Sequence, residues 1–428
     1  MESKIKTRIW LAFAVVALPI FALSLRGEDF TYITNNGTIT ITKYTGTGGS
    51  ATIPSTINGL PVTGIGDFSF YECFDLTNVM IGTNVTNIGA WAFSSCTNLT
   101  RVSIPDNVTD ISYEAFSFCT SLTNVTIGTK VARIGDTAFQ SCTGLTTIII
   151  PNSITRIGDQ TFEGCTSLAN LTIGNSVTYI GNYAFGSCIG LASVIIPDSV
   201  NKIGGGAFFG CSSLAQITIP NSITRIEYGT FDSCSSLSSI VIPDSVNTIG
   251  EGAFHLSGLT NVTIPNSVRS IGGSAFESCY SLTNVMIGYG VASIEMYAFA
   301  SCTSLKALYF WGNAPNLGLN VFDSESNAVV YYLPGTVGWG AALGGRPTAP
   351  WFLSRPLILI LPPYFGVRTN TFSSVISWAT NVPVVVEASA GLGTWVPVST
   401  NMLVDGWSRF TDPRWTNYPA RFYRLRSP

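Results

Sequence analysis

Apolar positions along the chain repeat with a period of 23 residues. One unit, residues 151–173, reads PNSITRIGDQTFEGCTSLANLTI, and eleven such units span residues 61–310. The phenylalanine of the unit recurs with one step of 22 residues, at Phe70, Phe93, Phe116, Phe139, Phe162, Phe185, Phe208, Phe231, Phe254, Phe276 and Phe299. A period of this length is the signature of a solenoid, in which each unit forms one coil of chain.

Each unit contains two extended segments and one compact stretch. The segment Leu168–Ile173 alternates apolar and polar residues, which predicts a short strand. Residues 154–157 predict a second extended piece that ends at Gly158, where a tight bend suits glycine. The Ala-Phe-x-x-Cys stretch predicts one turn of α or 3₁₀ helix. No coil of this size could bury a core alone, so we expect a β-rich repeat solenoid stabilised by contacts between neighbouring coils.

All ten cysteines occupy one position of the unit, three residues after the phenylalanine. They are Cys73, Cys96, Cys119, Cys142, Cys165, Cys188, Cys211, Cys234, Cys279 and Cys302. Ten cysteines in an exported protein would ordinarily suggest disulfides. Equivalent Cβ atoms of stacked coils point in parallel directions, however, and a buried thiol packs as a small apolar group. We therefore predict a reduced packing ladder and no metal site.

The N-terminal segment, residues 1–24, has the features of a secretory signal peptide. A basic start precedes an apolar run over residues 9–25, and the small residues Ala22 and Ser24 form a cleavage pattern. We expect cleavage near Ser24 and a secreted or cell-surface protein; an uncleaved membrane anchor is the alternative. No later segment is long and apolar enough to span a bilayer, so the mature chain is expected to have no membrane span.

The regions on either side of the repeats lack the 23-residue pattern. Residues 28–60 are predicted to cap the first coil, and residues 311–352, which are rich in aromatic residues, to cap the last. Residues 357–428 are predicted to form a separate small β-sandwich-like domain. Its predicted strands are residues 372–378, 383–386, 394–398, 407–410 and 421–425.

Composition and charge argue against two classes of protein. Among 428 residues, 46% are hydrophobic and 11% are charged, and the formal net charge is -3. That balance argues against a nucleic-acid binder, which would carry a basic surface, and against a disordered chain. His255 is the single histidine of the chain, and we expect neither a metal nor a cofactor.

The unit resembles the BspA-like leucine-rich repeat family. The residues that carry the resemblance are Leu122-Thr-Asn-Val125-Thr-Ile127 and Val131-Ala-Arg-Ile134-Gly-Asp-Thr-Ala138-Phe139-Gln-Ser-Cys142. The resemblance implies a leucine-rich-repeat superhelix with one strand per coil in a parallel sheet. It also implies a bacterial surface protein with a role in adhesion or matrix binding, and the family offers no catalytic residues to carry over.

Two series of equivalent positions are candidate ligand surfaces. The residue two after the unit leucine is expected to face outward, which defines the front column: Asn78, Arg101, Asn124, Thr147, Asn170, Ser193, Gln216, Ser239, Asn261 and Asn284. These side chains could hydrogen-bond a glycan or an extended chain, or could simply solvate the sheet and pair with each other. The residue before the second inner isoleucine defines the basic stripe: Arg133, Arg156, Tyr179, Lys202 and Arg225. This stripe could hold a sulfated or carboxylated polymer.

The sequence offers few residues that could form a catalytic site. Asp136 and Asp159 recur at one repeat position and would lie close together, as a carboxylate pair for glycoside cleavage requires. Arg133 and Arg156 lie three residues earlier in the same coils, so a stacked ion-pair ladder is the preferred interpretation. His255 has Glu251 as its nearest carboxylate in sequence, and we interpret it as a surface residue of an irregular coil.

These observations favour a non-catalytic exported repeat protein, monomeric, that binds an extracellular protein or glycan at or outside the cell surface. One alternative is a structural envelope or matrix component without a selective ligand. A second alternative is a polysaccharide-processing enzyme built on the solenoid, which would depend on Asp136 or Asp159.

Overall fold

The computed structural model describes residues 25–27, 29–323, 327–362, 365–368 and 371–426. Within them the chain forms a β-solenoid of about 13 turns followed by a small module of antiparallel strands. The one helical element among these residues is a 3₁₀ turn at Trp415–Asn417. The predicted signal peptide, residues 1–24, lies outside the described residues.

One long side of the solenoid carries a parallel sheet, here called the front sheet. Its ladder runs in three stretches, from β4 to β15, from β17 to β19 and from β22 to β30, and residues 238–241 between the last two are not in a strand. The strands are β4 (Gly49–Ile53), β7 (Leu76–Ile81), β9 (Arg101–Ser103), β11 (Asn124–Thr126), β13 (Thr147–Ile149), β15 (Asn170–Thr172), β17 (Ser193–Ile195), β19 (Gln216–Thr218), β22 (Asn261–Ile264), β24 (Asn284–Ile287), β26 (Ala307–Phe310), β28 (Val329–Tyr332) and β30 (Arg346–Pro350).

A second parallel ladder, the back sheet, is built from the shorter extended piece of each coil. It runs from β3 to β18 and again from β20 to β27. The strands are β3 (Thr38–Tyr44), β6 (Leu60–Ile65), β8 (Asn87–Ile88), β10 (Asp110–Ile111), β12 (Arg133–Ile134), β14 (Arg156–Ile157), β16 (Tyr179–Ile180), β18 (Lys202–Ile203), β20 (Arg225–Ile226), β21 (Thr248–Ile249), β23 (Ser270–Ile271), β25 (Ser293–Ile294) and β27 (Asn316–Leu317). The expectation of one strand per coil is therefore wrong: coils contribute strands to two sheets.

Antiparallel strands join the solenoid at both ends. At the start, β1 (Leu25–Gly27) pairs with β2 (Phe30–Asn35), which pairs in turn with β3. A short strand β5 (Thr56–Ile57) folds back on β6. At the other end, β29 (Ala342–Leu343) pairs antiparallel with β30. β2 thus pairs with the first strand of the back sheet, and β29 with the last strand of the front sheet.

The solenoid core is a column of stacked phenylalanine rings. Each unit ring from Phe70 to Phe299 is fully buried. Neighbouring ring centroids lie between 4.6 Å, for Phe70 and Phe93, and 6.0 Å, for Phe299 and Phe322. Tyr44 extends the stack at its start, 5.1 Å from Phe70. The stack therefore continues past the eleven units into the regions that flank them.

The compact stretch around each phenylalanine is not helical, contrary to the sequence prediction. Two residues of each stretch have left-handed backbones, such as Trp91 (φ 52) and Ser95 (φ 61). The N–H of Phe93 donates to the carbonyl of Ala115 in the next coil, at 2.7 Å, instead of to its own segment. Bonds between coils alternate with local turn bonds, such as Cys96 N–H to Phe93 O at 3.2 Å, so the stretch is a series of turns and not a helix.

The ten cysteines are free thiols, as predicted, and nine of them are buried. Sequence reasoning missed their hydrogen bonds. Each buried thiol donates to the phenylalanine carbonyl of the preceding coil, for example Cys188 Sγ to Phe162 O at 3.3 Å and Cys302 Sγ to Phe276 O at 3.0 Å. Burial raises the pKa of the Cys119 and Cys165 thiols to about 12, so these groups stay protonated and available as donors.

The shortened unit places serine, not leucine, at the cysteine position. Ser257 is buried and its hydroxyl lies 3.2 Å from Cys279 Sγ, while the neighbouring Leu256 is 36% exposed. The missing residue falls between Ser257 and Leu259, because the spacing from Phe254 to Ser257 is kept and Ser257 N–H still donates to Phe254 O at 3.1 Å. The position three residues after the phenylalanine therefore carries a polar hydrogen in every coil, from a thiol or from a hydroxyl.

The C-terminal module consists of two antiparallel sheets around a small core. One sheet joins β31, β32, β33 and β36, and the other joins β34, β35 and β37. The strands are β31 (Leu357–Leu359), β32 (Gly366–Arg368), β33 (Thr371–Ser377), β34 (Val382–Ser389), β35 (Val396–Leu403), β36 (Trp407–Asp412) and β37 (Phe422–Arg426). Buried side chains from both sheets form the core: Ile376, Val384, Val386, Leu403 and Phe410. The five predicted strands overlap β33 to β37, whereas β31 and β32 were not predicted.

A search of the described residues finds no helix with the length and apolar character that a bilayer crossing requires.

Truncation of a central ring tests the stacked core. Phe185 packs between Phe162 and Phe208, at centroid distances of 5.6 and 5.7 Å. We expect Phe185→Ala to lower the free energy of unfolding by about 3–5 kcal/mol, measured by urea denaturation. Phe322→Ala, at the end of the stack, is expected to lose less because Phe322 stacks on one ring of the series. Equal losses would contradict stabilisation by neighbouring coils.

Thiol labelling tests the cysteine ladder. Because the buried thiols have raised pKa values and no solvent contact, we expect only the half-buried Cys73 to react within minutes with an aromatic disulfide reagent at neutral pH. All ten should react after denaturation in guanidinium without reductant. Fewer than ten after denaturation would indicate disulfides, and rapid labelling of several thiols in the native protein would contradict the packed ladder.

Candidate ligand-binding surfaces

The structure places the front column on the outer face of the front sheet. Cross-strand register sets Asn78 beside Arg101, Arg101 beside Asn124, and Asn261 beside Asn284. Neighbouring strands lie roughly 4.8 Å apart, so these side chains form rows along the rod. The interruption of the ladder at residues 238–241 leaves Ser239 outside any strand and separates Gln216 from the Asn261 end of the column.

Several front-column side chains bond to each other or to adjacent residues. Asn284 Nδ2 donates to Asn261 Oδ1 at 3.0 Å, Asn170 Nδ2 to Thr147 Oγ1 at 3.5 Å, and Asn78 Nδ2 to Ser50 Oγ at 3.3 Å. These bonds match the interpretation in which short polar side chains pair between rungs. They occupy donors that a ligand would otherwise need.

The basic stripe lies on the back sheet, across five successive coils. Arg156 pairs in register with Tyr179, and Tyr179 pairs with Lys202. The side chains of Arg133, Arg156 and Arg225 are 71%, 58% and 55% exposed. The stacking of coils therefore brings the predicted cations into one exposed row.

Tyr179 organises the centre of this row. The Arg156 guanidinium lies 4.3 Å from its ring centroid, and the Lys202 ammonium lies 5.7 Å from the same centroid. Burial, followed by the negative charge of Asp159, raises the pKa of Tyr179, so the phenol remains neutral. A neutral ring between two cations holds them in place by cation–π attraction and leaves their charge uncancelled.

The ion pairs of the stripe match the predicted ladder at Arg156 and differ from it at Arg133. Arg133 lies 3.8 Å from Asp110 of the preceding coil, not from Asp136, because register alignment sets Asp110 directly beside it. Arg156 and Asp159 are 3.8 Å apart, beyond the 2.7–2.9 Å of a charge-assisted hydrogen bond. Arg225 makes the tighter contact, 3.0 Å to Glu227.

Asp136 and Asp159 have a structural task. Asp136 Oδ1 accepts the backbone N–H of Asp159 at 2.9 Å, and Asp159 Oδ1 accepts that of Asn182 at 3.0 Å. Asn182 Oδ1 continues the series by accepting Gly205 N–H at 2.9 Å. Each side chain thus satisfies a backbone donor of the next coil, which explains the recurrence without catalysis.

His255 contacts a carboxylate of the preceding coil and not the carboxylate nearest to it in sequence. Its Nδ1 lies 3.1 Å from Asp232 Oδ1, since residues 23 apart meet in adjacent coils, and Glu251 is not the contact. The Ser233 hydroxyl donates to the same Asp232 oxygen at 2.8 Å. In a hydrolytic triad the serine bonds to the imidazole, whereas here both groups converge on the carboxylate.

Sequence reasoning missed a cluster of three exposed rings around the half-buried Trp91 at the first coils, here called the aromatic patch (Phe68, Tyr71, Trp91 and Tyr113). Phe68 and Trp91 stack at 4.8 Å, while Tyr71 and Tyr113 meet them edge to face at 5.6 and 5.0 Å. The available signal was that two successive coils carry an aromatic residue two positions before the phenylalanine, at Phe68 and Trp91, with Tyr71 and Tyr113 near them in the sequence.

Within the described part of the chain, no three histidine, cysteine, aspartate or glutamate side chains are grouped so that they could hold a metal ion.

Comparison with protein families gives a match to the model described as BspA type leucine rich repeat region. Six copies match, over residues 35–146, 63–191, 133–257 and 224–337. A search of curated proteins finds no match.

Solved structures with similarity to this chain are bacterial repeat proteins. A leucine rich cell surface protein from Faecalibacterium prausnitzii is 33% identical, over 68% of this chain and 95% of that one, with a TM-score of 0.46. A leucine-rich repeat protein from Bacteroides ovatus is 27% identical, over 67% and 94%, with a TM-score of 0.40. A leucine rich repeat protein from T. pallidum is 25% identical, over 60% and 90%, with a TM-score of 0.31.

Substitution of Asp136 tests whether its side chain stabilises the coil as a hydrogen-bond acceptor. We expect Asp136→Asn to leave the free energy of unfolding unchanged, because an amide oxygen accepts the same bond, as Asn182 does. Asp136→Ala removes the acceptor and is expected to cost about 1 kcal/mol, measured by chemical denaturation. Similar losses in both variants would show that the charge, not the acceptor, is what stabilises the coil.

Proposed function

The chain belongs to the BspA-type leucine-rich repeat family, and on that premise we propose that it binds an extracellular macromolecule through the long sides of its solenoid. The family comprises bacterial surface repeat proteins and is not known for enzymes. We further propose that the basic stripe is the principal contact and that its ligand is a sulfated or carboxylated glycan. Export, adhesion and a monomeric rod belong to the same proposal.

The single observation that carries the proposal is the row of exposed cations on the back sheet. Arg133, Arg156, Lys202 and Arg225 project from coils spaced roughly 4.8 Å apart. Two of the stripe's ion pairs are longer than a charge-assisted bond, so guanidinium donors remain available to sulfate or carboxylate oxygens. Because the front-column amides are partly occupied by one another, the back sheet offers the stronger attraction for a charged polymer.

Removal of the four cations tests this function. We expect the folded protein, residues 25–428, to bind immobilised heparin or dextran sulfate saturably on an array that also carries neutral glycans and matrix proteins. Changing Arg133, Arg156, Lys202 and Arg225 to Gln should weaken that binding at least ~10-fold at physiological salt, since several charge-assisted contacts are lost together. Raising the salt concentration should weaken wild-type binding, because exposed charges are screened.

A matched variant controls for overall charge. Lys43, Lys130, Arg269 and Lys306 are exposed cations outside the stripe, and their replacement by Gln removes the same charge. This variant should bind the polyanion like wild type. Equal loss in both variants, or none in the stripe variant, would contradict the assignment. A blank array from folded protein would favour the structural role, and glycan turnover abolished by Asp159→Asn would favour the enzyme.

A further inference from the structure

The aromatic patch exposes a large area of apolar ring surface to solvent. Phe68 is 52% exposed, and Tyr71 and Tyr113 are each 41% exposed. Ring contacts join the four side chains of the patch into one continuous surface. Contiguous exposed aromatic residues, tyrosine and tryptophan above all, mark protein interaction sites.

The backbone conformation at this patch is common to every unit. Phe68 (φ 57) and Trp91 (φ 52) are left-handed, as is the equivalent residue of each other coil, which is glycine in three of them, at Gly206, Gly229 and Gly252. The unit therefore folds without a side chain there, so the two rings can be removed at little cost to the fold. What distinguishes the first two coils is that their residues at this position stack on each other.

The charge around the patch is negative. Between residues 67 and 114 the sequence contains six carboxylates and one cation, Arg101. Glu72 directly follows Tyr71 and Glu114 directly follows Tyr113, and each carboxylate raises the pKa of its tyrosine. These carboxylates give the rim of the patch a net negative charge. The complementary ligand is cationic.

We propose that the aromatic patch is a docking site for a basic polypeptide segment of a partner protein, one that carries arginine or lysine beside apolar side chains. Guanidinium groups stack on the exposed rings by cation–π attraction, while Glu72 and Glu114 pair with the same cations. Apolar side chains of the segment cover the ring edges. The basic stripe, with its opposite charge, would repel such a segment, so the two surfaces select different partners.

The substitution of glycine for the two stacked rings tests this site without endangering the fold. The probe is a fluorescein-labelled decapeptide of alternating arginine and leucine, added to the full chain and followed by fluorescence anisotropy at physiological salt. We expect Phe68→Gly together with Trp91→Gly to weaken binding at least ~10-fold, as removal of interface aromatic residues does. The thermal midpoint should not fall by more than a few degrees, because glycine is the residue that other coils use.

The control is Tyr297→Gly, which changes the same left-handed position (φ 58) in a coil outside the patch. Its affinity for the peptide should equal that of wild type. Unchanged affinity in the double variant would overturn the proposal. So would equal binding of a peptide with glutamate in place of arginine, or of a chitin oligosaccharide, since these would indicate general stickiness or a sugar site. The stripe variant should bind the arginine peptide normally, so this proposal and the polyanion proposal fail separately.

Discussion

The contact of one coil with the next is the interaction on which the rest of the structure depends. A single 23-residue coil has no interior of its own, and its phenylalanine becomes buried only when two neighbouring rings cover its faces. The same stacking brings thiols within reach of phenylalanine carbonyls and aspartates within reach of backbone N–H groups. Core, hydrogen bonds and surface rows are thus three results of one repeated translation.

Much of this could be predicted, because a fixed repeat length in the sequence means that successive coils stack with the same geometry. The stacked phenylalanines, the reduced cysteines and both outward rows follow from equivalent positions lying next to each other. The turn conformation could not be predicted in the same way. Alternate N–H groups of the turn bond to the following coil, as Phe93 does to Ala115, and a local sequence pattern carries no information about such partners.

The two candidate sites also differ in how far the sequence predicts them. The basic stripe could be predicted because similar residues recur at one position. One of its ion pairs was predicted wrongly, since Arg133 meets Asp110 of the adjacent coil and not Asp136 of its own. The aromatic patch escaped notice because it departs from the repeat instead of following it. In a repeat protein the consensus reports the scaffold, and departures from it at exposed positions are the better guide to ligands.

The shortened unit has a consequence for how such a chain can change over generations. Loss of one residue after Phe254 is absorbed within a single coil, and Ser257 restores the contact to Cys279. Because every coil presents the same two faces to its neighbours, gain or loss of a whole unit by unequal recombination in the gene would preserve each interface. Rod length is therefore an inheritable variable separate from stability, and each coil can exchange its exposed side chains independently of the others.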